Sequence, residues 1–70
     1  MTQVEKIQKA MREKLRTVRK AEKLSQTEMA KLLKLDQSAL SRVESGKQNL
    51  SVETWIRFRL QFGVKEVSYE

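Results

Sequence analysis

The 70-residue chain contains no cysteine, no histidine and no proline, and only two glycines. The lack of cysteine excludes disulfides and thiolate metal sites, and fits a reducing compartment. With neither histidine nor cysteine, and with carboxylates placed at helix caps or in helix pairs rather than in a cluster, no catalytic residue, metal or cofactor is expected. No apolar run approaches the ~20 residues of a membrane span. Charges stud residues 1–24, which is unlike a secretory signal, so a soluble cytoplasmic protein with no membrane partner is expected. The scarcity of glycine and proline, set against abundant Lys, Glu, Gln, Leu and Ala, favours an all-α fold in one small domain spanning 1–70. So short a chain buries little surface, and association would help it.

What the chain has in excess is positive charge. The net charge of +6 is concentrated at the start. Residues 1–24 hold eight Lys or Arg against three Glu, whereas residues 25–50 carry +1 and residues 51–70 are neutral. A basic domain with a pI near 10.0 has the electrostatic footprint of a nucleic-acid binder, although basic faces are often only solvated surface.

Val4, Ile7, Met11, Leu15 and Val18 recur at helical spacing and predict an amphipathic first helix over about residues 3–22. Its stripe lacks the aromatic residues of a membrane-surface helix and runs on into the fold. Ser25-Gln-Thr-Glu28 reads as a capping box, with Leu24 as the staple before it against Met29. The second helix is predicted to reach about Leu33, with Met29, Ala30 and Leu33 facing inward. Asp36 is the next N-cap, and the third helix runs from Gln37 to near Ser45, where Gly46 supplies a left-handed cap. Ser51 caps a fourth helix that ends at Gly63. The tail, residues 64–70, alternates like a short strand.

Two short helices joined by a tight turn, the first containing a small residue at Ala30 where they cross, can lay the second along the major groove of DNA. Leu40 and Val43 are its buried side. Gln37, Ser38, Ser41 and Arg42 then point outward, and these side-chain types match the hydrogen-bonding edges of bases: Gln for adenine, Arg for guanine, Ser for several groups. The stretch from Leu24 to Lys47 resembles the helix-turn-helix of phage-repressor and Cro-type proteins, the XRE family, and the likeness covers about residues 15–64. It implies a lambda-repressor-like bundle of four to five helices, here with an extended first helix. It also implies that Gln37, Ser38, Ser41 and Arg42 contact bases. Gln26 and Lys47 match phosphate-contacting positions, with Thr27, Asn49 and Arg19 as further candidates. Arg19 and Glu44 match a partly buried salt bridge between the first and third helices.

Two positions depart from the family pattern. Lys34 stands in the turn where glycine is usual, and is expected to be left-handed at some cost. Arg59 stands in an apolar arc of the fourth helix and needs a carboxylate partner or a route to water. That arc is too wide for one small core. Val52, Trp55, Phe58 and Phe62 are expected to fill the core. Ile56 and Leu60, with Val64, Val67 and Tyr69 adjoining, are expected to form a homodimer seam, unless they cover the extended first helix. The implied function is a sequence-specific double-stranded DNA-binding regulator, most simply a repressor on a palindromic operator. The alternative is an antitoxin or accessory module that binds a protein partner.

Overall fold

The computed structural model describes residues 2–65. Among these residues four helices follow one another: α1 (Gln3–Ala21), α2 (Gln26–Leu32), α3 (Gln37–Glu44) and α4 (Val52–Phe62). No strand occurs among the described residues, and the alternation suspected in the tail falls mostly on residues 66–70, outside them. Among the described residues no helix is long and apolar enough to cross a membrane.

Each helix begins on a side-chain cap. Thr2, Ser25, Asp36 and Ser51 accept the amides of Glu5, Glu28, Ala39 and Thr54 respectively, replacing intrahelical acceptors that a first turn lacks. At Ser25 the box is reciprocal: the Ser25 amide donates to Glu28 Oε1 at 2.9 Å. That bond, with the Ser25 hydroxyl beside it, holds the exposed Glu28 carboxyl below its ordinary range.

All four helices end the same way. The amide of Leu24 reaches back to the Arg19 carbonyl, Leu35 to Ala30, Lys47 to Arg42 and Val64 to Arg59. This six-residue closure requires a left-handed residue just before the donor. Glycine supplies it at Gly46 and Gly63, but lysine does so at Lys34 and at Lys23, both with φ of 57°. The left-handed turn expected at Lys34 is therefore present, and Lys23 adds a second that no residue type announced.

The core is centred on Phe58, Leu15, Met29, Leu33 and Leu40, all fully buried. Trp55 and Phe62 flank Phe58 with ring centroids 5.3 and 5.4 Å away, a tilted spacing that favours aromatic pairs. Val52 was expected in this core and is not there: it is 75% exposed, and Thr54 is buried in its place. The reason is angular. At about 100° per residue, Val52 lies about 120° around α4 from Phe58, whereas Thr54 lies about 40° from it. Thr54 tolerates burial because its hydroxyl accepts from Ser51 Oγ at 2.9 Å.

Arg59 is half-buried and pairs with no carboxylate among the described residues. Its Nε donates to the Val64 carbonyl at 3.2 Å, just past the end of its own helix.

Candidate nucleic-acid interface

The buried side of α3 is Ala39, Leu40, Val43 and Glu44. Holding that side against α1 and α2 leaves Gln37, Ser38 and Arg42 exposed and Ser41 half-exposed. Ala30, the small residue expected where α2 and α3 cross, is 2% exposed. The four candidate base-reading side chains thus share one outward surface.

A chain of polar side chains runs beside them. Gln37 Nε2 donates to Gln26 Oε1 at 3.0 Å, and Gln26 Nε2 reaches Glu44 Oε1 at a longer 3.4 Å. Glu44 in turn accepts from Arg19 twice, from Nε at 2.8 Å and from Nη2 at 2.9 Å. The remaining terminal nitrogen, Nη1, donates to the Leu24 carbonyl at 3.0 Å. The pair is well enclosed, with side-chain exposures of 14% for Arg19 and 5% for Glu44. A bidentate fork of this kind is geometrically specific as well as attractive. It ties α1 to the C-terminal turn of α3, while Gln26 and Gln37 tie the starts of α2 and α3 together. With three nitrogens engaged, Arg19 braces α1 against Glu44 of α3 and the Leu24 carbonyl before α2.

Arg42 is held by a residue that sequence reasoning did not single out. Gln48 Oε1 accepts from Arg42 Nε at 2.9 Å, and the Gln48 amide donates to the Arg42 carbonyl at 3.3 Å. The bond uses Nε alone, so the terminal guanidinium nitrogens, the pair suited to guanine O6 and N7, are not spent on Gln48. Lys47 and Asn49 are exposed in the same loop. Thr27 is exposed at the start of α2, next to the half-buried Gln26.

A second surface lies on the far side of α4. Val52, Ile56 and Leu60 follow at four-residue steps and are 75%, 47% and 79% exposed. Ile56 joins Val4, Ile7, Met11, Leu50, Val52 and Trp55 in lining an open groove of about 450 Å³ between α1 and α4. Leu60 faces a different depression with Leu32 and Arg57. Val64, expected to adjoin the seam, is half-buried and packs against the core, since the residue after a left-handed helix cap turns back onto its own helix. Val67 and Tyr69 lie outside the described residues.

Residues 15–67 match the sequence model of the helix-turn-helix family. No curated protein and no solved structure matched the chain. The family match covers most of the sequence, all of α2, α3 and α4, and the part of α1 that carries Arg19. The chain belongs to the helix-turn-helix family, and its α2–α3 unit is a DNA-binding helix-turn-helix of the phage-repressor and Cro type.

Proposed function

We propose that this helix-turn-helix protein is a sequence-specific regulator that binds an operator in double-stranded DNA as a homodimer and represses transcription by occluding a promoter. The observation that carries the reading is the outward face of α3. Gln37, Ser38, Ser41 and Arg42 lie together on it, two of them oriented by neighbours, Gln37 by Gln26 and Arg42 by Gln48. In this reading those four side chains meet base edges, and Gln26, Thr27, Lys47 and Asn49 hold phosphates around them. The exposed Val52–Ile56–Leu60 stripe supports the dimer. Two copies joined there would present two reading helices to half-sites about one helical turn, ~34 Å, apart.

Selection of bound sequences from a random duplex pool tests the proposal. The expected result is a palindromic or near-palindromic site with two half-sites at fixed spacing. Recovery of no sequence preference, or of a single asymmetric site bound by one copy, would overturn it.

The α1–α4 groove favours a second reading, an antitoxin or accessory factor whose apolar groove receives a protein partner. Ionic strength separates the two. DNA binding through several phosphates weakens steeply with salt, and an apolar protein interface does not.

A further inference from the structure

We propose that Arg12 and Arg16 form a phosphate-binding pair on α1 that extends the DNA contact beyond the C-terminal end of α3. The inference rests on the DNA-binding reading and adds a contact surface to it. The two arginines are one helical turn apart on one face of α1, inside the segment that carries most of the positive charge. The Arg12 guanidinium lies over Gly46. A Cβ built there would stand 3.3 Å from Arg12 Cζ, 3.5 Å from Nη2 and 3.6 Å from Nε. Gly46 immediately precedes Lys47, so Arg12 is brought beside the loop that already carries phosphate candidates.

Arg16 is exposed and borders a recess of about 190 Å³ lined also by Arg19, Gln26, Ser41, Glu44 and Ser45. That recess opens between the start of α2 and the outward side of α3. The one carboxylate in it, Glu44, is already matched by Arg19 through two hydrogen bonds. Arg16 therefore adds an unmatched positive charge. Among the described residues the ion pairs are Arg19–Glu44 and Arg57–Glu53, so neither Arg12 nor Arg16 is neutralised by a carboxylate. Arg16 at this polar recess and Arg12 over the neighbouring Gly46 place two unmatched guanidiniums near the reading helix, and these suit the phosphate backbone, whose oxygens accept forked N–H donors.

Arg12 also stands near the carbonyl end of α3, where a cation is favourable for the helix alone. That role affects stability and leaves the salt dependence of DNA binding unchanged. The test is therefore the salt slope. The full chain is titrated with a labelled duplex of arbitrary sequence across a salt series, by fluorescence anisotropy, alongside thermal unfolding of each variant. Arg16→Gln is expected to reduce the slope of log K against log salt by about 0.9, and Arg12→Gln with Arg16→Gln by about 1.8. Lys14→Gln removes the same charge from the opposite face of α1 and is expected to leave the slope unchanged.

A folded Arg16→Gln variant with the wild-type slope would overturn the proposal, as would an equal loss in Lys14→Gln. Arg16→Gln decides the matter even where Arg12→Gln unfolds, because Arg16 is exposed. A wild-type protein that binds no duplex at low salt would overturn the DNA-binding reading itself, which is a different failure.

Discussion

The side-chain amide of Gln8 pairs with both backbone groups of Leu50, donating to its carbonyl at 3.0 Å and accepting from its amide at 2.7 Å. The contact spans 42 positions of sequence. It imitates the two-bond exchange of an antiparallel strand pair with a single side chain. Leu50 is buried and ends the loop that follows α3. Together with Arg12 over Gly46 and Arg19 on Glu44, it makes α1 a splint along residues 44–50. Gln8 and Arg12 lie before the family match begins at residue 15, so these two of the three contacts belong to the extended start of α1.

Replacing Gln8 by Ala removes the partners of two part-buried backbone groups, the amide and the carbonyl of Leu50. A loss of about 1–3 kcal/mol is expected, from the cost of leaving such groups unsatisfied. Urea unfolding measures it. The loop carrying Lys47 and Asn49 should also loosen, visible as faster amide exchange at Leu50 and its neighbours. Unchanged stability and exchange would mean that water replaces Gln8 without penalty.

The Arg19–Glu44 pair sets the pitch of α3 against α1. Glu44→Ala leaves an enclosed guanidinium with only the Leu24 carbonyl, and Arg19→Ala leaves a nearly buried carboxylate. Each is expected to cost about 3–5 kcal/mol, the range for breaking a buried pair from one side. In a domain of this size that is enough to unfold much of the population. A double-mutant cycle gives the coupling. A value under about 1 kcal/mol would put the pair in the class of exposed bridges despite its burial.

The left-handed lysines offer a gain. Lys34→Gly relieves a non-glycine residue at positive φ and is expected to stabilise by about 1 kcal/mol. Lys23→Gly should do the same, because the two residues share φ of 57° and the same closing hydrogen bond. Chemical denaturation of each variant tests this. A loss of stability at both would show that the lysine side chains contribute packing worth more than the strain.

What could be seen in the sequence follows from locality. Ser25, Asp36 and Ser51 announce helix starts because a cap acts on an amide three residues away. Gly46 and Gly63 announce helix ends through a preference of the residue itself. Lys23 makes the same turn against its own preference, so nothing in the sequence marks it. Dividing the wide apolar arc of α4 into two faces puts Val52 on the core side and overlooks the polar Thr54, whereas the angle from Phe58 decides for Thr54. The outward position of Gln37, Ser38 and Arg42 follows from the spacing of Leu40 and Val43. The bonds from Gln8 to Leu50 and from Gln48 to Arg42 depend on where two separate segments meet, and no periodicity encodes that.

Within the proposed interface, roles should separate by readout. Gln37→Ala and Arg42→Ala are each expected to lose about 1–3 kcal/mol at one base pair per half-site and relax preference there. Gln48→Ala should weaken the preference read by Arg42 while leaving other positions alone, since it holds Arg42 Nε. Lys47→Ala should instead weaken all sequences alike and lower the salt slope. Competition titrations against single-base operator variants distinguish these patterns. Specificity lost through Lys47 and retained through Arg42 would invert the assignment.

The dimer proposal places its seam on the stripe of α4 that faces away from Phe58. Leu60 is the most exposed of the three residues and does not line the α1–α4 groove, so a change there leaves that groove and the domain core intact. Leu60→Asp sets a charge in the proposed apolar seam, where desolvation without a partner is costly. The variant is expected to remain helical, because Trp55 and Phe58 keep their burial. It is expected to sediment as a monomer and to bind half-sites independently and weakly, having lost the gain in effective concentration from linked reading helices. Circular dichroism and sedimentation, with and without a selected operator, read both effects. A folded Leu60→Asp protein that stays dimeric would move the seam toward the α1–α4 groove, where Ile56→Asp is then the decisive variant. An unfolded one would show that Leu60 supports the monomer, contrary to its position opposite the core.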